Sequence, residues 1–468
     1  MAERILFLTG HLAEPRLRRL LADLGDTGFD WQMANIGVKV AALMTEPIVL
    51  HRLPRPVLAD RVVFPGRAAL DPGRLTDAFG VRFERGPDEL ADLPRHLGVA
   101  GRAADLSRHD IRIFAEIVDA ATFNPEALLA RAEALRADGA DIIDLGCSPK
   151  HPFPSLEDSI RRLKARGLSV SVDSGDPAEL RRGAEAGADF LLSLTERTLD
   201  VCLGTNAVPV LIPAAPGDTD SLLRAAGAAR TRGIACLLDP VLDPIHFGFT
   251  ASLVRYAALR ERLPDAEILM GTGNLTELTD ADSAGVTAML LGVCSELAIR
   301  NVLVVQVSPH TRRTVAEHDL ARRIMFAARA NGDLPRGYAD GLLQMHDRAP
   351  FTQSVEDIAV LAGSVRDRSF RIATAEDGIH VYSAGLHATG QDAFGFFPRL
   401  RVAGDGAHAF YLGAELMKAE IAAALGKRYV QDEPLDWGCA APRAPRDATR
   451  LAEAGHTLQA KRGDADDP

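Results

Sequence analysis

Aromatic side chains are scarce, at 5% of 468 residues, so Leu, Val, Ile and Ala must fill whatever core this chain builds. Small aliphatic side chains suit parallel strands covered by helices. Positive charge is in deficit: the net charge is −11. That argues against nucleic acid or an anionic membrane as the main partner, but not against a small anion held by a local cluster of donors. The five cysteines (Cys147, Cys202, Cys236, Cys294, Cys439) form no CxxC pair. A zinc ribbon or a disulfide framework is therefore disfavoured. No apolar run approaches the roughly 20 residues of a membrane span. The first residues read as a strand, RILFLTG, and not as a secretory signal. A cytoplasmic chain with no membrane partner is expected.

At roughly 150 residues per domain, the length predicts two or three domains. Residues 1–108 read as a small α/β domain, with strands at 5–10, 31–36 and 61–66 and a helix at 14–25. It lacks GxGxxG after a strand, so no dinucleotide site is indicated. A structural or dimerising role is the default reading. Gly10 and His11 do sit at a strand end, where open α/β sheets bind ligands.

From 109 to 331 the rhythm is regular. Strand-like runs occur at 111–119, 140–146, 168–173, 188–194, 208–213, 234–239, 266–271 and 301–307, with amphipathic stretches between them. Eight strands closed by a helix at 312–331 match a (β/α)₈ TIM barrel. An open doubly wound sheet has the same alternation, and periodicity alone does not separate the two. Residues 332–440 read as a small α+β domain. It comprises a helix at 353–363, a hairpin turning at Asp377–Gly378, a Gly- and aromatic-rich segment at 385–400 and a long helix at 407–427. Residues 441–468 are expected to be disordered.

In a TIM barrel the chemistry sits where strands end. Those positions hold Asp119, Asp144, Asp173, Ser193, Asp239, the run Gly271–Asn274 and the run 306–313. Any one carboxylate there can be a helix N-cap. Several at one mouth make capping a poor account of all of them.

Three of these segments resemble dihydropteroate synthase and its pterin-binding relatives. GADIIDLG (139–146) resembles the family's second-strand motif, VSVDS (170–174) its third, and LLDP (237–240) with FGF (247–249) its sixth. Each is short, but their order within one βα series is specific. Departures are also present. Asp119 occupies the position of the family's first-strand Asn, and Ser193 that of its fourth-strand Asn. Lys150–His151 replace a Thr-Arg pair. The seventh-strand Lys is absent, with Asn274 near its place, and the Arg-x-His after strand 8 falls near Gln306–Ser308. The stretch 273–299 is similar to the dihydropteroate synthase-related proteins of tetrahydromethanopterin biosynthesis.

The resemblance implies an alkyl transferase that joins a dihydropterin diphosphate to an arylamine. It makes Asp119, Asp173 and Asp239 catalytic candidates. The pterin would be held by Asp144, Asp173, Ser193, Asp239, Gly271 and Asn274. Lys150, His151, His310 and Arg312 would meet phosphate, and Mg²⁺ would sit on Asp119. A homodimer is the expected assembly. Alternatives are a folate-type synthase, a subunit of a pterin-dependent methyltransferase (the chain has no DxHxxG cobalamin motif) and a non-catalytic pterin-binding protein. A Schiff-base lyase is disfavoured, because no Lys lies at a barrel strand end.

Overall fold

The computed structural model describes residues 2–24, 27–88, 90–98, 105–148 and 151–442. The chain divides into two compact units, residues 1–106 with 327–338, and residues 107–326 with 339–468.

In the first unit, β1 (Glu3–Thr9), β2 (Phe29–Asn35), β3 (Arg61–Phe64) and β4 (Arg82–Arg85) form a parallel sheet in the order β2-β1-β3-β4. Alternation places Ile5, Phe7 and Val63 in one core with Leu17 and Leu21 of the helix Glu14–Asp23. Leu8, Val62 and Phe64 lie in a second core with Val49 and Leu75. Both faces of β1 and β3 are thus covered, which explains their nearly continuous apolar sequence. Asp71 starts the helix Pro72–Phe79 by accepting the amide of Gly73 at 2.8 Å, and Gly80 ends it at φ +68°.

The second unit contains the barrel. Its strands are β5 (Arg112–Ile117), β6 (Ile142–Gly146), β7 (Ser169–Asp173), β8 (Phe190–Leu194), β9 (Val208–Leu211), β10 (Leu237–Leu238), β11 (Glu267–Gly271) and β12 (Asn301–Val304). All pairings are parallel, and β12 pairs with β5 to close the ring. The protein is therefore a TIM barrel and not the open sheet that periodicity also allowed. Phe114, Ile142, Phe190, Leu192, Val210, Leu237 and Leu269 fill the interior, with the rings of Phe114 and Phe190 edge to face at 5.0 Å. The opposite side of each strand packs on the surrounding helices. After β8 the chain makes only a short 3₁₀ turn, Leu199–Cys202, in place of an α-helix.

The barrel's far end is tied by one buried cation. Arg322, on the helix Thr314–Asn331, donates to the carbonyls of Ile111 (2.6 Å) and Gly139 (3.0 Å) and to Asp319 (2.7 Å), and it also pairs with Asp141. Ile111 and Asp141 directly precede β5 and β6, so this clasp lies at the strand starts.

Beyond the barrel, β13 (Arg371–Ala375), β14 (Gly378–Ser383) and β15 (Leu386–Gly390) form an antiparallel sheet packed by the helix Gly406–Leu425. The expected hairpin and its turn are present. The segment at 385–400 also contains β15, which its composition did not announce. Residues 332–338 group with the first unit, and 339 onward with the barrel unit. Of the expected disordered tail, residues 443–468 lie outside the described residues. No helix among the described residues is long and apolar enough to cross a membrane.

Candidate functional site

Carboxylates stand at the strand ends of the barrel, above the apolar interior. Register sets their heights. Glu116 lies beside Asp144, and Asp144 beside Ser171, across β5, β6 and β7. Gly146 lies beside Asp173 one step higher. A Cβ on Gly146 would meet Glu116 Oε1 at 2.5 Å, so only glycine lets the Glu116 carboxylate lie against β6.

These groups share a shortage of water. Burial drives the Glu116 carboxyl up to about 7, and the nearby charges of Asp173 and Asp119 push the same way. Burial raises Asp144 well above its ordinary value, helped by Asp173 and Glu116, although the Ser171 hydroxyl donates to its Oδ1. Asp144 is wholly buried, and its Oδ2 has no hydrogen-bond partner. Burial also raises Asp173, against the hydrogen bond from Ser193. That bond has a backbone cause. Ser193 sits at φ +68°, where the pairing of β8 with β9 shifts register, and such an irregularity re-aims a side chain.

Asp239, just past β10, is held from several directions. The Tyr256 hydroxyl donates to its Oδ1 at 2.6 Å, and the Val241 amide donates to the same oxygen at 2.8 Å. Burial still lifts this carboxyl to about 6. Val241 is a β-branched residue at φ +66°. Such a conformation costs of order 1–3 kcal/mol and persists only where its surroundings enforce it. Arg255 supplies that enforcement: it donates to the Val241 carbonyl at 2.9 Å and pairs with Asp243 at 2.6 Å. Asn274 pins the loop from β11, its Nδ2 donating to the Leu242 carbonyl at 2.8 Å. A Cβ on Gly271 would lie 3.6 Å from Asn274 Nδ2 and 4.0 Å from Asp239 Oδ2. Gly271, Asn274 and Asp239 therefore converge.

Capping does not account for these acids. The helices after β5, β7 and β9 are capped by Asn124, Asp176 and Asp218, each accepting a first-turn amide. Asp119 precedes a 3₁₀ turn at φ +50° and makes no side-chain cap bond. Among the described residues, no three His, Cys, Asp or Glu side chains are arranged to enclose a metal. A single carboxylate nevertheless matches Mg²⁺, which takes one or two carboxylates and completes its shell with waters and substrate phosphate.

The basic candidates are more dispersed. His310 Nε2 lies 3.1 Å from the Thr276 carbonyl, on the loops after β11 and β12. Arg312 is exposed and reaches only the Pro309 carbonyl, at 3.4 Å. His151 is exposed after β6, and Lys150 lies outside the described residues. The sequence reading missed Glu116, Arg255, Tyr256 and Glu277. Glu277 accepts the amides of Val307 (2.8 Å) and Ser308 (3.0 Å) and the Thr311 hydroxyl (2.6 Å), which fixes the loop after β12. Only Glu116 carried a signal: it shares strand parity with Phe114, which points inward.

Residues 3–88 match a family of unknown function, DUF6513. An uncharacterized protein of Methanocaldococcus jannaschii is 28% identical over 366 residues, 69% of each chain. The type-2 dihydropteroate synthase of Escherichia coli is 38% identical over 77 residues, which span 14% of this chain and 28% of that enzyme. Among solved structures, a dihydropteroate synthase from Yersinia pestis bound to a pterine-sulfa conjugate aligns with 95% of its chain and 48% of this one, at 19% identity and a TM-score of 0.39. One from Thermus thermophilus gives 95% and 48%, at 22% and 0.37. On a closed (β/α)₈ barrel the chain carries, in order, second-, third- and sixth-strand motifs that resemble those of dihydropteroate synthases, and it is similar to one of these enzymes over 77 residues.

Proposed function

We propose that this protein is a pterin-binding transferase that joins dihydropterin-6-ylmethyl diphosphate to an arylamine with release of pyrophosphate. The amine we assign is 4-(β-D-ribofuranosyl)aminobenzene 5′-phosphate, in tetrahydromethanopterin biosynthesis. A cytoplasmic homodimer belongs to the same proposal. The observation that carries it is the pair Asp173, half-buried, and Asp239, buried, two carboxylates at strand ends of one barrel mouth. A pterin edge presents an amino group and a ring N–H side by side, and a carboxylate accepts both in a charge-assisted pair. Ser193 steadies Asp173, and Tyr256 steadies Asp239.

The reaction needs no protein nucleophile. The amine nitrogen bonds to the pterin methylene, and the carbon–oxygen bond to diphosphate breaks with its electrons on oxygen. The surplus amine proton goes to Glu116, whose carboxyl sits up at about 7 and so exchanges protons near neutrality. Asp119 would hold Mg²⁺, which stabilises charge on the departing diphosphate. Lys150, His151, His310 and Arg312 are the basic groups available to the amine's phosphate.

The amine assignment rests on the 273–299 stretch and on the absent seventh-strand Lys. A site built around a phosphate discriminates against an amine without one, because its donors go unpaired. The test compares kcat/KM for the phosphorylated amine and for 4-aminobenzoate, at saturating pterin diphosphate and Mg²⁺. Preference for the phosphorylated amine supports the assignment. Equal or better use of aminobenzoate restores the folate-type reading, and no product from either overturns the transferase.

A further inference from the structure

The helix Gly406–Leu425 lays one face on the sheet β13–β15 through Leu412, Leu416, Ala419 and Ala422. Its opposite face is open, and between Ala409 and Leu425 every exposed position is apolar. The charged side chains of this stretch turn to their own chain. Glu415 accepts the Tyr429 hydroxyl at 2.7 Å, Lys418 donates to the Glu433 carbonyl at 3.0 Å, and Glu420 accepts the Ala393 amide at 2.7 Å. A solvated helix shows the reverse, with its charges outward. Glu420 lies within a turn of Met417 and Ala424, so its bond to Ala393 seats the turn Phe394–Phe396 at the edge of the open face. There Phe394 and Phe397 are 78% and 50% exposed, and Phe410 on the helix is 74% exposed. At about 150–250 Å² per phenylalanine, these three rings alone leave roughly 300–500 Å² of apolar surface in water. Met417 and Ile421 add to it. Doubled in a symmetric pair, the area approaches the roughly 1,200–2,000 Å² of a specific interface.

The open face has the period of helix pairing. Phe410, Ala414, Met417, Ile421 and Ala424 are spaced by four, three, four and three residues. That is the seam along which two helices pack. Read backward, the seam complements itself. A twofold axis at Met417 sets Phe410 opposite Ala424 and Ile421 opposite Gly413, bulky against small at each step. Glycine inside a helix costs roughly 1 kcal/mol relative to alanine. A Cβ on Gly413 would meet nothing within 4 Å in its own chain, so internal packing gives no reason for it. Close approach of a second helix does. Residues 443–468 hold only Leu451 and Leu458 as large apolar side chains, too few to cover the face from within the chain.

We propose that this face pairs with the same face of a second copy of the chain, antiparallel across a twofold axis at Met417. It supplies the interface of the homodimer proposed above and is independent of the barrel's chemistry.

The test is sedimentation velocity of the full-length protein across the micromolar range. Wild type sediments as a dimer. Met417→Lys sets two ammonium groups together at the axis and raises the dissociation constant by about a hundredfold or more, the scale of juxtaposed like charges. Gly413→Leu blocks the close approach and also dissociates the dimer. Its new side chain meets open space in the single chain, so it keeps the wild-type circular dichroism and decides the matter if Met417→Lys folds poorly. Phe410→Lys weakens the dimer, and adding Ala424→Glu to the same chain restores it, because antiparallel pairing brings these positions together. Met289→Lys, at an exposed position of the barrel helix Ser283–Glu296, leaves the dimer intact. A monomeric wild type, a dimer that survives Gly413→Leu, no restoration in the double variant, or dissociation by Met289→Lys overturns the inference. None of these readouts involves pterin, so failure here leaves the transferase reading standing.

Discussion

The hydroxyl of Tyr256 donates to Oδ1 of Asp239 at 2.6 Å, from a helix outside the barrel to an acid at its mouth. The tyrosine is wholly buried, so this bond is its polar handle in an apolar wall. It also stabilises the charged form of Asp239, and without it only the Val241 amide and the Arg255 charge would oppose burial and Asp173. Tyr256→Phe should therefore raise the Asp239 pKa above about 6. Dihydropterin affinity, measured from pH 5 to 8, should then fall off at a higher pH than in wild type. Coincident profiles would show that Tyr256 does not set the charge of Asp239.

Glu116 gives a stability prediction with a definite sign. Its folded pKa, about 7, lies above its ordinary value of 4.5. The protonated folded state is favoured below about 4.5, and that advantage is lost as pH rises through about 7. Glu116→Gln removes the cost of a buried charge. At pH 8 it should stabilise the protein by about 1–3 kcal/mol, and near pH 5 by much less. Urea unfolding of both proteins at the two pH values measures this. The same variant should slow turnover at neutral pH if Glu116 takes the amine proton.

At the opposite end of the barrel, Arg322→Ala should destabilise by about 3–5 kcal/mol, because it strands buried acceptors and the Asp141 and Asp319 charges. Dihydropterin affinity per folded molecule should stay at the wild-type value. A large affinity loss with unchanged stability would reverse the division between mouth and base.

Asp119→Ala should keep the wild-type melting temperature, since the side chain makes no cap bond. It should also abolish the Mg²⁺ dependence of turnover, leaving a small metal-insensitive rate. Wild-type activity in excess chelator would remove the metal from the account.

The barrel was legible because its strands are buried on both faces and read as short apolar runs with acids at their ends. β4 and β15 were not. RFER buries only Phe83, and LHATG only Ala388, so neither shows an apolar run. β10 was expected over 234–239, yet only Leu237–Leu238 pair as strand. Asp173 and Asp239 were legible from motif and position. Arg255, Tyr256 and Glu277 act across 12 to 34 residues of sequence on loops whose conformation no local pattern announces. Ser193 was read from its place at a strand end and from the resemblance; its positive φ, which turns it toward Asp173, has no sequence signature in a serine.

The most direct test of the central claim is a calorimetric titration of 6-hydroxymethyl-7,8-dihydropterin into the full-length protein and into Asp173→Asn and Asp239→Asn. The account predicts one site per chain in wild type. Each substitution should weaken it by about 2–5 kcal/mol, the cost of breaking a buried charge-assisted pair. Binding that is absent in wild type, or unchanged in both variants, would contradict it.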